Sequence, residues 1–468
     1  MSKEAPFDLI VIGGGPGGYV AAIRAAQLGM SVACIDENPQ LGGTCLRVGC
    51  IPSKALLESS QRYVDARHSL AAHGVLVGDV RLDLAAMQQR KTRIVQTLAG
   101  GIDGLFKQAG VTRYQGRGRL AESGRVLVIT PEGKRPLAAR HILLATGSRP
   151  APLTGIAWDG DRIGTSTEAL AYPEVPKHLV VIGAGYIGLE LGSVWSRLGA
   201  KVTVLEALDR ILPGLDLELA QIAQPLFEKQ GISFQLGVRV DSVTASGSKC
   251  KVRHSGGAAL ACDRVLVAVG RVANTDDLGL ETVGIQPNPR GEIPVGDNFA
   301  TSAPGVYAIG DCIPGAKLAH KASHDALACV AALIGEHPHV DPNTIPGVVY
   351  THPEIASVGQ TEQQLQQANR EYRKGVFPLQ ASGRARALGE TEGRVKILAD
   401  ARTDRLLGVH IIGPHAGDLI AEAAAAMQFG ASAEDLAHVC HAHPTLAEAL
   451  GEAAMAVHRR AIHVPATR

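Results

Sequence analysis

Short apolar runs of strand length recur along the chain, and the clearest of them are followed by a glycine turn and then by residues with helical period. The run Leu9-Ile10-Val11-Ile12 passes through Gly13, Gly15 and Gly18 into an Ala-rich stretch ending at Leu28, which predicts a buried parallel strand feeding a helix. A second strand is expected over Ser31 to Ile35, with Asp36 at its end. The same order returns later as the run His178 to Ile182, then Gly183, Gly185 and Gly188, a helical stretch, and a strand from Lys201 to Leu205 closed by Glu206. Gly13 and Asp36 are 23 positions apart, and so are Gly183 and Glu206. That shared spacing predicts two βαβ units, each with the G-x-G-x-x-G turn on which a dinucleotide's pyrophosphate settles and a carboxylate placed for the adenosine ribose.

Between the units, residues 55–110 read as helical, including the polar stretch Met87 to Arg93, and strands are expected over Tyr114 to Leu120 and Arg125 to Thr130. The apolar run His141 to Ala145 enters Thr146-Gly147-Ser148-Arg149-Pro150, a glycine and proline hinge suited to a domain crossing. Arg264 to Arg271 repeats that strand end, and Gly305 to Asp311 is a further apolar strand, followed by a helix from Lys321 to Leu333. A Pro- and His-containing loop at 337–347 marks the last boundary. Beyond it come strands near Gly347 to Tyr350, Lys374 to Pro378, Arg394 to Ala399 and Leu406 to Ile412, and an Ala-rich helix Ile420 to Phe429. This α+β pattern has no glycine fingerprint and suits assembly. The expected divisions are 1–150, 151–275, 276–345 and 346–468, giving an α/β fold of two three-layer Rossmann-like domains and a C-terminal α+β domain.

Composition narrows the function classes. With 468 residues the chain is too long for one core, and 54 glycines with only 4% aromatics suit tight strand-to-helix turns. A net charge of +1 gives no indication of nucleic acid or an acidic membrane surface as the main partner. The run from Met1 straight into the first strand, without any long uncharged apolar window, leads to the expectation of a soluble, cytoplasmic protein. Eight cysteines in so long a chain are no secreted disulfide framework.

Chemistry concentrates in Gly42-Gly43-Thr44-Cys45-Leu46-Arg47-Val48-Gly49-Cys50-Ile51-Pro52-Ser53-Lys54. Five helical residues rise roughly 7.5 Å, beyond the about 7 Å that a disulfide's Cα atoms span. If Cys45 and Cys50 pair, the turn between them is distorted, with Gly49 supplying the slack, and the bond is of the readily reduced kind. The plainer reading is two unrelated buried thiols. Cys34, Cys250, Cys262, Cys312, Cys329 and Cys440 show no metal-ligand spacing, and most read as small core residues.

These motifs, with Ala308-Ile309-Gly310-Asp311 and His441-Ala442-His443-Pro444 near the C-terminus, make the chain resemble the flavoprotein disulfide reductases, and among them the dihydrolipoamide dehydrogenases. The resemblance spans essentially the whole chain. It implies FAD in the first unit, lined by Gly13, Gly15, Gly18, Asp36, Gly43, Thr44, Lys54, Gly118, Thr146, Gly147, Ser148, Asp311, Leu318 and Ala319. It implies NAD in the second, held by Gly183, Gly185, Tyr186, Ile187, Gly188, Glu190, Glu206, Val240 and Gly270. Glu206 repels a 2′-phosphate and so argues for NAD over NADP, with Arg210 close by. Lys54 and Glu190 are expected to meet at the reactive edge of the flavin.

By the same resemblance Cys45 exchanges with a dithiol, Cys50 faces the flavin and His443 is the base, reached from the partner subunit of a homodimer. Glu448 orients the His443 ring, or opens the last helix as the end of a capping box from Thr445, and the roles are compatible. His441 reads as a surface histidine. The family commonly has Asn where this chain has Arg47; a cation there either favours a thiolate or turns to solvent, and solvent is expected. The implied substrate is a lipoylated acyltransferase subunit of a 2-oxo acid dehydrogenase complex, or a lipoylated glycine cleavage carrier. Alternatives are a reductase of glutathione-like or mercuric substrates, and a non-catalytic assembly subunit.

Overall fold

In the computed structural model, which describes residues 5–122, 124–338 and 340–465, the first βαβ unit is β1 (Phe7–Ile12), α1 (Pro16–Gln27) and β2 (Val32–Asp36). Met1 lies outside the described residues. Next come α2 (Gly43–Val48), α3 (Cys50–Val64) and α4 (Leu84–Ala109), so the helical expectation for 55–110 is interrupted. From Asp65 the chain loosens into turns and then runs irregularly over 74–83, where Gly74, Gly78 and three valines oppose a helix. The Asp83 carboxylate restarts it by accepting the Ala86 N–H at 2.9 Å.

The strand expected over Tyr114 to Leu120 is split at Gly116 into β3 (Thr112–Gln115) and β4 (Arg117–Glu122), which join different layers. β3 extends the parallel sheet, while β4 pairs antiparallel with β5 (Arg125–Thr130), and β5 with the first half of β6 (Gly133–Leu144). The second half of β6 enters the parallel sheet beside β1. β7 (Ser148–Pro150) then carries the chain across to the second unit.

That unit repeats the plan. β8 (Ile163–Gly164), β9 (His178–Ile182), β10 (Lys201–Leu205) and β11 (Ile232–Gln235) join one parallel sheet, with the Tyr186–Arg197 helix between β9 and β10. β12 (Val240–Ser246), β13 (Lys249–His254) and β14 (Leu260–Cys262) form an antiparallel triplet, and β15 (Arg264–Val267) returns beside β9. β6 thus corresponds to β14 and β15 interrupted at Asp263. The run read as one strand from Arg264 to Arg271 breaks after Val267; Arg271 opens β16 (Arg271–Ala273), which pairs antiparallel with β7, so the two interdomain crossings zip together. β17 (Val306–Ala308) rejoins the first sheet beside β6.

The last sheet is wholly antiparallel, in the order β18 (Gly347–Val349), β19 (Glu354–Gly359), β22 (Leu406–Gly413), β21 (Arg394–Asp400) and β20 (Tyr372–Pro378). β19 was not anticipated, since Glu354-Ile-Ala-Ser-Val-Gly after a proline has little apolar alternation. The Ala-rich helix begins earlier than its composition suggests, at Ala416, and ends at Gln428.

A fully buried ammonium ties this sheet to the second unit. Lys396, on β21, is 0% exposed and lies 2.8 Å from Asp216, 3.1 Å from Glu218 and 2.6 Å from Glu362. Burial pushes Asp216 up, but His410, the Lys396 ammonium and the Glu362 amide outweigh it and hold the carboxyl below its ordinary range. Glu362 is held down against burial by Lys396 and Tyr372.

Replacing Lys396 by Met leaves carboxylates buried without their counter-charge and is expected to destabilise the fold by roughly 3–5 kcal/mol. The exposed Arg62–Glu58 pair, by contrast, is worth less than about 1 kcal/mol. Denaturant unfolding of Lys396→Met beside Arg62→Ala checks the difference. Because both carboxyls are depressed, their stabilisation is present above their unfolded-state values near ~4 and is lost as pH falls through the folded ones.

Candidate active site

Both glycine turns open onto one cleft of about 1990 Å³, well above the ~1,000 Å³ upper range of a single drug-sized site. Gly13 and Gly183 take φ of +105° and +104°, and a Cβ on either would strike the carbonyl of Ala145 or Ala268 on the neighbouring strand end. Gly185 instead faces open space ahead of its helix, and a Cβ on Gly15 would meet only the Gly43 Cα, at 3.7 Å, the cradle a dinucleotide pyrophosphate needs. The carboxylates of β2 and β10 clamp these loops alike: Asp36 accepts the Gly14 N–H at 2.6 Å and Glu206 the Ala184 N–H at 2.7 Å. The Arg210 side chain donates to the Pro213 carbonyl at 2.6 Å and is not on the cleft wall.

The wall carries Gly13, Gly15, Asp36, Gly43, Thr44, Cys45, Cys50, Lys54, Gly118, Thr146, Gly147, Ser148, Asp311, Leu318 and Ala319 from the first unit and its return segment. From the second unit it carries Gly183, Gly185, Tyr186, Ile187, Glu190, Glu206, Val240 and Gly270. Gly18 and Gly188 are not on it. They lie one helical turn in, where a Cβ would collide with the carbonyls of Gly13 and Gly183, so they serve helix–loop packing.

The redox candidates sit where α2 gives way to α3. Gly49 breaks the two helices apart at φ −139°, ψ −116°, and a Cβ there would come within 2.7 Å of the Thr44 carbonyl oxygen. The break brings the free thiols of Cys45 and Cys50 into a shared hydrogen bond. That bond from Cys45, opposed by burial and helped by the Lys54 charge, draws Cys50 down to about 7. Cys45 is pushed up by the same hydrogen bond and by burial. Arg47 is half-buried on the cleft wall with its Nε out of solvent, and the cation acting on the thiols is Lys54.

Lys54 Nζ is 2.7 Å from Glu190, whose side chain is 7% exposed. Tyr350, from the last sheet, completes the cluster: its N–H donates to Glu190 at 3.0 Å and Lys54 Nζ lies 4.4 Å from the centre of its ring. Sequence reasoning missed Tyr350, since nothing local marks a residue of the third domain as a neighbour of Lys54. It missed Arg271 too, which donates to the Ser148 hydroxyl at 2.7 Å while that hydroxyl donates to Asp311 at 2.5 Å.

His443 is not on this wall. Its ring is 79% exposed, with Nδ1 2.8 Å from Glu448 Oε1. Glu448 Oε2 also accepts the Thr445 N–H at 2.8 Å, but Thr445 turns its hydroxyl to Ala442 and the helix starts at Glu448, so the capping box is only half formed. His441 is no surface histidine. Its side chain is only 9% exposed, and Nε2 lies 2.7 Å from Glu422, a partner supplied by the Ala416–Gln428 helix.

Two family models match the chain: pyridine nucleotide-disulphide oxidoreductase over residues 7–326, and the dimerisation domain of that family over 345–454. The dihydrolipoyl dehydrogenase of pea mitochondria is 51% identical over 98% of this chain and 92% of its own length. That of Cupriavidus necator is 49% identical over 99% and 100%. The chain belongs to the pyridine nucleotide-disulphide oxidoreductases, among the dihydrolipoyl dehydrogenases. The crystal structure of LpdA from Mycobacterium tuberculosis superposes with a TM-score of 0.89 at 30% identity, covering 95% of this chain and 98% of that one.

Members of this family work with FAD and NAD, and the paired cradles fit two dinucleotides on the chemistry of their walls. The Cys50 thiol is expected to titrate near 7, against about 8.5 for a free cysteine. Alkylation at Cys50 therefore rises as pH passes upward through about 7. Lys54→Met moves the midpoint to higher pH and Lys54→Arg restores it. Iodoacetamide kinetics with peptide mapping check this, and an unmoved midpoint in Lys54→Met contradicts it.

Proposed function

We propose that this chain is an NAD-linked dihydrolipoyl dehydrogenase that reoxidises protein-bound dihydrolipoyl groups through a Cys45–Cys50 disulfide. What supports the residue roles is the asymmetry of the two thiols on the cleft wall, one held down and one pushed up. In thiol–disulfide exchange the sulfur of lower pKa is the better leaving group. An incoming substrate thiolate therefore attacks Cys45, the Cys45–Cys50 bond breaks, and Cys50 departs as the thiolate beside the Lys54 charge. His443 takes the proton of that first substrate thiol. The second substrate thiol then closes the cyclic disulfide, breaking the bond to Cys45, and its proton goes to the Cys45 sulfur. FAD, when bound, supplies the two-electron relay from the dithiol to NAD. Glu448 holds the His443 ring by Nδ1, as the carboxylate of a catalytic triad does.

Residues 1–150 with 276–345 hold FAD in this reading, 151–275 hold NAD, and 346–468 form the interface of a homodimer. His443 is solvent-facing within one chain, which supports its serving the partner subunit's dithiol. Glu206 at the ribose position supports NAD over NADP and disfavours a glutathione-like or mercuric reductase. The lipoylated partner is an acyltransferase subunit of a 2-oxo acid dehydrogenase complex or a glycine cleavage carrier. No described helix is long and apolar enough to cross a membrane, and the compartment we assign is the cytoplasm.

Steady-state oxidation of dihydrolipoamide with NAD tests the reading. His443→Gln is expected to lose roughly 10²–10⁴-fold in turnover with flavin absorbance retained, and unchanged turnover removes the base assignment. In the same assay NADP is expected to be a poor substitute for NAD, and Glu206→Ser to narrow the gap.

A further inference from the structure

β13 and β14 lie antiparallel with Cys250 directly opposite Cys262. Opposed residues share a face with Cβ atoms about 4.5–5.5 Å apart, and a disulfide asks for about 3.5–4.5 Å. Both thiols are free, and Cys250 Sγ lies 3.9 Å from the Arg162 carbonyl oxygen and 4.0 Å from that of Asp263, the residue that follows Cys262. They point into the apolar core under the triplet, beside Val180, Val243 and Val265, at 2% and 1% exposure, and neither is on the cleft wall. β14 is the three-residue edge strand of its sheet, so a small local opening uncovers the pair. The asymmetry of the catalytic cysteines recurs. The neighbouring Cys262 thiol, with Arg162 and Arg264, holds Cys250 down against burial and Asp159, while Cys262 is pushed up.

We propose that Cys250 and Cys262 are a second redox dithiol, separate from Cys45 and Cys50, that a small hydroperoxide converts to an intramolecular disulfide. The Cys250 thiolate attacks the terminal peroxide oxygen, the O–O bond breaks, and the alcohol leaves with the proton Cys250 released. The Cys262 sulfur then displaces water from the resulting sulfenic acid, giving up its own proton to that water. Two thiols lose two electrons, and the peroxide is reduced to alcohol and water. The bond fastens β14, which runs through Asp263 into β15, to β13, whose neighbour β12 begins with the cleft residue Val240.

Flavin-loaded enzyme with no dithiol substrate present, treated with tert-butyl hydroperoxide and mapped without reduction, is expected to yield a Cys250–Cys262 cross-linked peptide. Dithiothreitol reverses it, dihydrolipoamide turnover is retained, and amide exchange of Leu260–Cys262 slows. Cys250→Ser and Cys262→Ser each lose the cross-link and keep the turnover of the untreated parent. The outcome that overturns the proposal is read on the unaltered protein: after treatment and unfolding both thiols still alkylate, or Cys250 is recovered as sulfinic acid beside free Cys262.

Discussion

Three domains converge on one buried carboxylate. Glu190, on the helix after the second glycine turn, is almost sealed from solvent, and its charge is tolerable there only because Lys54 from the cysteine helix and the Tyr350 N–H from the last sheet both reach it. The pairing fixes α3 against the second unit, and with it the position of Cys50 four residues earlier. It also leaves the Lys54 charge beside the Cys50 thiol, which it holds down. Removing either partner strands a charge at the centre of the molecule, so the constraint is structural and chemical together.

Around that point the chain uses one device twice. Each unit has a glycine turn pressed against its neighbouring strand end, a carboxylate clamping that turn, and an antiparallel triplet leading back into the parallel sheet. The crossings between the units pair as β7 and β16, and the Arg271–Ser148–Asp311 chain of hydrogen bonds ties that ribbon to the return segment. Two cradles so linked face the same cleft, which is what a relay between two dinucleotides requires.

What was legible in the sequence was local. Glycine spacing, the carboxylates 23 positions on, and the need for Gly49 to break the helix all follow from residues near one another in the chain. What escaped depended on partners far off in sequence. His441 looked exposed because Glu422 belongs to another helix, and Tyr350 could not be placed beside Lys54 before three domains were assembled. Cys250 and Cys262 looked unrelated because only the register of a hairpin places them opposite each other. The capping box from Thr445 was half right, since Glu448 accepts the amide but the hydroxyl found a nearer carbonyl.

The proposed chemistry rests on Cys50 being the thiolate that lies against the flavin, with Cys45 the outer thiol. Absorbance during anaerobic titration with two electrons per subunit tests this most directly. A long-wavelength thiolate-to-flavin charge-transfer band is predicted for the unaltered enzyme and for Cys45→Ser, and its absence for Cys50→Ser. The same band persisting in Cys50→Ser would contradict the assignment.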